Sequence, residues 1–186
     1  KKEAIKYYKM AADNGNIKAI YSYGLVLLKG EGIGINKEES LKYYKIAADK
    51  GYSSSCISYG NMFFNGECVQ VDKEEAVKWY KIAAEKGNSQ AIEGLAYILY
   101  YGNGVPANKE EAFKYCKLAI DKGCYRAYLL YSTFFYNGDL FPKNDEEAVK
   151  YLQISANKGD LDGMISYASF LNYVIGTSIN KEKAIK

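Results

Sequence analysis

The chain has 186 residues, 25 of them basic and 22 acidic, and no histidine. This near balance of charge argues against a nucleic-acid footprint, which concentrates basic side chains. The missing imidazole removes Ser-His and Cys-His nucleophile pairs and most common zinc sites.

The first predicted element is 1–15, KKEAIKYYKMAADNG, closed by Gly15. The same text returns at 37–51, 73–87, 109–123 and 145–159, closed by Gly51, Gly87, Gly123 and Gly159, and a sixth copy begins at 181–186. Every step is 36 residues, and a period in that range is the signature of stacked supersecondary units. The text reads as a helix, here termed helix B. Asn36, Asp72, Asn108, Asn144 and Asn180 precede the copies and suit the N-cap. Glu39, Glu75, Glu111 and Glu147 follow three residues later, as in a capping box, whereas Lys183 breaks that feature. Glu38–Lys42, Glu74–Lys78, Glu110–Lys114 and Glu146–Lys150 have the spacing of stabilising i,i+4 pairs. The glycine suits a left-handed C′ position, where an alanine in place of Gly87 costs about 1 kcal/mol.

Between these copies lie the segments of helix A. Small residues recur at Gly24, Gly60, Ala96, Ser132 and Ala168. Tyr23, Tyr59, Leu95, Tyr131 and Tyr167 precede them, and Leu27, Phe63, Leu99, Phe135 and Leu171 follow three later, which makes a helix face. Gly30, Gly66, Gly102 and Gly138 end four of these helices, and Val174 stands at the fifth end. Connectors with Gly, Pro106 or Pro142 lead to the next cap. Neither helix can bury its apolar stripe alone, so stability is expected to come from stacking.

The pattern A-x2-W-Y-x2-A-A-x2-G followed by A-x3-L-G/A-x2-L/Y-x2-G-x-G-V is carried by Ala76, Trp79, Tyr80, Ala83, Ala84, Gly87, Ala91, Leu95, Ala96, Leu99, Gly102, Gly104 and Val105. It resembles the Sel1-like repeat, a relative of the tetratricopeptide repeat, and the resemblance covers essentially the whole chain. Cys68 and Leu140 depart from the second connector glycine, and Ile120 from an alanine. The resemblance implies an all-α, right-handed α/α superhelix, a solenoid. It gives one domain over 1–186: partial repeat 1–15, repeats 16–51, 52–87, 88–123 and 124–159, and partial repeat 160–186. It also implies a non-enzymatic adaptor or scaffold that binds a peptide or protein segment. The alternative is an architectural or regulatory module acting on a fused or associated effector, such as a kinase or a membrane quality-control complex. Both ends cut a repeat, so continuation of the stack or end-to-end self-association through the terminal repeats is expected.

Some secreted relatives bridge a helix-B alanine position to the position of Cys56. The partner position here is Ala48, and the four cysteines form no CxxC spacing, so a reducing compartment, the cytoplasm, is the expected setting. No apolar run approaches the ~20 residues that span a membrane, so no direct insertion is expected. Lys6, Lys42, Lys78, Lys114 and Lys150 form a stripe read as a solvated outer face. Ser155–Lys158 and Ser178–Lys181 match S-x-x-K, the Ser–Lys arrangement of penicillin-recognising enzymes. Both lysines fall where the repeat itself places one, Lys158 with Lys50, Lys86 and Lys122 and Lys181 at the first helix-B position, and no catalytic residue, metal or cofactor is expected.

Comparing the copies separates helix-A positions of fixed character from those that vary. The variable sets are Lys18/Ser54/Gln90/Arg126/Asp162, Tyr21/Ile57/Glu93/Leu129/Ile165, Leu25/Asn61/Tyr97/Thr133/Ser169 and Lys29/Asn65/Tyr101/Asn137/Tyr173. Their offsets of 0, 3, 7 and 11 make one helix face, which the family resemblance puts on the concave side. Its many tyrosines and aliphatics suit an interface. Two readings stand: a partner groove, or burial of these side chains against one another.

Overall fold

Local capping chemistry sets the repeat. A computed structural model describes residues 2–173. Among these, ten helices and no strand are present: α1 (Lys2–Asp13), α2 (Ile17–Lys29), α3 (Lys37–Asp49), α4 (Ser53–Asn65), α5 (Lys73–Glu85), α6 (Ser89–Tyr101), α7 (Lys109–Asp121), α8 (Ala127–Asn137), α9 (Asp145–Asn157) and α10 (Leu161–Tyr173). Odd-numbered helices are helix B and even-numbered ones helix A. The irregular end expected at Val174, the cap at Asn180 and the motif at Ser178 and Lys181 lie outside the described residues.

Each helix B starts on the side chain expected of it. Asn36, Asp72, Asn108 and Asn144 accept the N–H of Glu39, Glu75, Glu111 and Glu147 at 2.8–3.0 Å. The return half of the capping box is replaced. The backbone N–H of each cap residue goes to the preceding helix A, at Leu27, Phe63, Leu99 and Phe135 carbonyls, over 2.8–3.0 Å. That bond folds the connector back and fixes helix B against helix A. Glu39 instead accepts from the Asn36 side-chain amide at 3.1 Å.

Each helix B ends in a Schellman turn. Gly87 N–H reaches Ala84 O at 2.8 Å and Asn88 N–H reaches Ala83 O at 3.0 Å, with the other copies alike. The five glycines have φ between 79° and 89°, a region that Cβ-bearing residues avoid. Gly32 and Gly104 in the connectors are also left-handed, at 84° and 83°, and Cys68 holds the same region at 60°.

One expectation is corrected. Lys78 and Lys150 pair with Glu75 and Glu147 at i,i+3, at 3.0 and 3.3 Å, rather than with Glu74 and Glu146 at i,i+4. The caps hold the N3 carboxylates next to these lysines. Helix α8 begins late, at Ala127. Asn16, Asn88 and Asp160 cap their A helices through side-chain oxygens, and α4 starts at Ser53 without a side-chain cap from Tyr52; after Cys124 the chain closes instead with i→i+3 bonds from Ala127, Tyr128 and Leu129.

The chain divides into two compact units, Lys1–Ile92 and Glu93–Lys186. In the first, small residues let tyrosines lie flat on helix A. A Cβ on Gly24 would stand 3.0 Å from the Tyr44 ring, and one on Gly60 would stand 2.8 Å from the Tyr80 ring. Ser40 Oγ donates to Gly24 O at 2.7 Å across the same contact. The second unit is packed by aromatic edges: Tyr131 meets Tyr151 at 4.7 Å, and Phe113 and Tyr100 each meet the buried Phe134, at 5.1 and 4.8 Å. Its connector between α8 and α9 is tied to α7. Asp139 accepts from Lys109 and from the Tyr100 hydroxyl, and Asn137 Nδ2 donates to that same hydroxyl at 2.8 Å.

Candidate partner-binding face

The variable helix-A positions behave differently in the two units. In the first, Lys18, Asn61 and Gln90 are exposed, while Tyr21, Leu25 and Ile57 are half-buried. Tyr21 packs against the rings of Tyr44 and Tyr52, at 5.7 and 5.2 Å. Asn61 Oδ1 accepts the Tyr80 hydroxyl at 2.7 Å. These contacts make Tyr21 and Asn61 part of the packing as well as of the face.

In the second unit the same positions gather into two apolar places. Tyr97 and Tyr101 stack at 6.3 Å with an interplanar angle of 18°. With Ile98 and Asn103 they line a shallow space of about 450 Å³. Tyr101 remains 63% exposed. Tyr97 is half-buried, and burial pushes its hydroxyl up to about 12 against the pull of Arg126.

The second place is a cleft of about 520 Å³. Leu129, Thr133 and Ile165 are brought together there with Ser169, another variable position. Ile165 is 66% exposed. Around it stand Tyr136 and Phe170, edge to face at 5.6 Å. Comparison of the copies missed these two, because the Phe170 register is apolar in every copy (Val26, Met62, Ile98, Phe134) and the Tyr136 register in all but one (Leu28, Phe64 and Tyr100, against Asn172), which makes them look like core. One turn before the cleft, Arg126 lies 3.7 Å from Glu93 and 3.3 Å from Asp162. Arg126 thus stands between two carboxylates of neighbouring copies. The side chain of Tyr173 lies outside the described residues.

The chemistry looked for elsewhere takes structural form. Ser155 is buried, with Oγ 2.8 Å from Asp160 Oδ2 and 3.3 Å from Tyr125 O. It faces Gly163, where a Cβ would come within 2.7 Å of Ser155 Cβ. The serine hydroxyl is thus accommodated by a glycine where Ala91 and Ala127 stand in other copies. Lys158 Nζ lies over the Tyr125 ring instead, at 5.1 Å. Burial pushes the Cys116 thiol up to about 12 and that of Cys56 above its ordinary value, which keeps both as unreactive thiols. Cys56 Sγ lies 3.8 Å from Ala48 O, so Ala48 is its neighbour across the turn. The five lysines of the helix-B stripe are exposed. Among the described residues no group of three His, Cys, Asp or Glu side chains could hold a metal ion, and no helix is long and apolar enough to cross a membrane.

The model of the Sel1 repeat matches residues 1–16, 17–52, 53–88, 89–124 and 126–160. Among solved structures, a Sel1 repeat protein from Oxalobacter formigenes is similar with 28% identity and a TM-score of 0.84, over 99% of this chain and 76% of that one. A protective antigen of uropathogenic Escherichia coli strains, displaying an SLR fold, is similar with 27% identity and a TM-score of 0.88. That alignment covers 97% of this chain, which spans 39% of the antigen's length. Cysteine rich protein B of Helicobacter pylori is similar with 27% identity and a TM-score of 0.55, over 68% of this chain and 90% of that one. No curated protein matches the chain. These likenesses and the helix order give an all-α repeat fold of the solenoid type.

Proposed function

From the premise that the chain belongs to the Sel1 repeat family, we propose that it is a non-enzymatic scaffold holding a peptide or protein segment on its A helices. Sel1 repeat proteins are generally protein–protein interaction scaffolds, and the family is typically non-catalytic. The observation that carries the finer reading is the concentration of variable, solvent-reaching apolar side chains on one helix face. Tyr101 and Ile165, one in each of the two apolar places, keep 63% and 66% of their surface in water, a costly state for large apolar groups. Tyr97→Ala with Tyr101→Ala tests it. Retention of the physiological partner in a pull-down is expected to fall at least about tenfold, the worth of one aromatic anchor, with a small change in melting temperature. A large melting loss with the partner retained would make these tyrosines core.

A second reading, a module within a larger assembly, is favoured by the E. coli relative, in which the matched repeats are part of a longer chain. A reducing compartment fits both readings, and thiol titration on rapid lysis is then expected to count all four cysteines as reduced.

A further inference from the structure

We infer that the cleft between α8, α9 and α10 receives a tyrosine side chain carried by a partner peptide. The assignment rests on the reading of the A-helix face as the docking surface, and names what that face takes. Four helix pairs share one register at this level of the stack.

In the α2–α3 pair, Tyr44 lies over Gly24 and is 1% exposed. In the α4–α5 pair, Tyr80 lies over Gly60, and its hydroxyl donates to Asn61 Oδ1 at 2.7 Å. In the α6–α7 pair the helix-B position is Cys116, and a ring comes from the other helix. Tyr97, in the register of Asn61, is half-buried, and Cys116 is among the groups that raise its hydroxyl. Each of these pairs has a phenol at this level of the stack.

The α8–α9 pair has none. Leu152 stands in the register of Tyr44 and Tyr80, Ser132 in that of the glycines, and Thr133 in that of Asn61. All three line the cleft of about 520 Å³, with Leu129, Ile165 and Phe170 among the other walls. The space is therefore the place of the missing ring, extended toward solvent by enough to admit the backbone that would carry a ring from outside.

The lining narrows the chemistry. It holds no charged side chain, so a lysine or a carboxylate entering it would lose hydration without a partner. An aromatic side chain buries about 150–250 Å² in such a place. Thr133 Oγ1 gives its own proton to Leu129 O at 3.0 Å. Its lone pairs are left to accept from a phenol, as Asn61 accepts from Tyr80. Ser166 and Ser169 bring two more hydroxyls to the α10 wall.

The test is a titration of the full chain, followed by the methyl resonances of Leu129, Leu152 and Ile165. The probe is N-acetyl-Ser-Tyr-Ser-amide, compared with the same peptide carrying Phe, Ala or Lys at its centre. The tyrosine peptide is expected to bind about tenfold tighter than the alanine peptide, from ring burial alone, with phenylalanine between them and lysine weakest. Leu152→Tyr refills the place from helix B, and Thr133→Tyr refills it from helix A in the manner of Tyr97. Either variant should abolish the tyrosine preference while holding or raising the melting temperature, and one folded variant suffices. Equal binding of the tyrosine and alanine peptides, or a preference that survives the filling, would overturn the assignment. So would a sedimentation mass that rises with concentration and drops in Leu152→Tyr, since a second copy's tyrosine would then be the occupant. A physiological partner lost on changing Tyr97 and Tyr101 but retained by Leu152→Tyr would keep the groove and remove this cleft from it.

Discussion

The α4–α5 and α8–α9 pairs share one backbone plan and fill it differently. Both begin helix B on a side-chain cap, both tie the connector back to helix A, and both end in the same glycine turn. Yet Tyr80 closes the first pair onto Gly60, and Leu152 leaves the second open above Ser132. Because the backbone is held by caps and turns, side-chain volume at the pair can vary without loss of the fold. Repeat architecture thus leaves one level of each pair free to be either filled or open.

The sharpest way to break this comparison is to move the difference. Tyr80→Leu imports the α8–α9 solution into the first unit. It removes a buried ring, and is expected to cost about 3 kcal/mol in urea unfolding while opening a cleft at Asn61. A loss below about 1 kcal/mol would mean that the neighbouring helices collapse into the space. The hollow in the second unit would then need a reason other than the missing ring.

The next effect concerns how the connectors are held. Lys37 pairs with Glu67 at 2.9 Å in the first unit, and Lys109 with Asp139 in the second, both thirty residues apart. Glu67 is 34% exposed at its side chain and Asp139 only 10%. Burial opposes ionisation of Asp139, but the bonds from Lys109 and the Tyr100 hydroxyl outweigh it and hold its carboxyl below the usual value. Asp139→Ala leaves the buried Tyr100 and Lys109 without that acceptor, and is expected to cost about 2 kcal/mol. Glu67→Ala is expected to cost at most about 1 kcal/mol, as a surface pair. A folded-state pKa below the unfolded one means that the Asp139 contribution is full above the unfolded carboxylate value. It is lost as pH falls through the folded one. Denaturation of wild type and Asp139→Ala should therefore differ most at neutral pH and converge in acid. Equal costs for the two variants at neutral pH would erase the distinction between the clamps.

The sequence carried most of the fold because most of it is local. The caps at Asn36 and Asn144, the turn at Gly87 and the apolar faces each depend on residues within one or two turns, so the 36-residue register exposed them. The late start of α8 was not legible from the cap position alone, since Tyr52 at the same register also makes no capping bond and yet α4 starts on time at Ser53. The Lys109–Asp139 clamp joins residues thirty apart, and nothing in either neighbourhood announces it. At the candidate face, Tyr101, Leu129 and Ile165 could be named from their variability, since that is a property of single positions. The cleft could not, because it is a sum over Leu152, Ser132 and Thr133 on two helices. Only their volumes taken together show that a ring is missing. Tyr136 and Phe170 were hidden for the opposite reason, an apolar register shared with true core.

The smallest expected effect separates two connectors at one repeat position. Gly32 and Gly104 take φ of 84° and 83°, and Cys68 takes 60°. Leu140 stands at the same register without a left-handed backbone, since Cys68 is the only non-glycine residue with positive φ among those described. A residue with Cβ held there loses about 1 kcal/mol to steric conflict with the backbone. Glycine removes that conflict and gives back part of the gain through its greater freedom when unfolded. Cys68→Gly is therefore expected to stabilise by about 0.5 kcal/mol. Leu140→Gly relieves nothing, adds the same freedom to the unfolded chain and removes a half-buried side chain, so it should destabilise by about 1 kcal/mol. Urea midpoints of the two variants should move in opposite directions. If both fall, the connector around Cys68 is held by its side chain rather than tolerated in spite of it, and the two units differ less at their connectors than at their helix pairs.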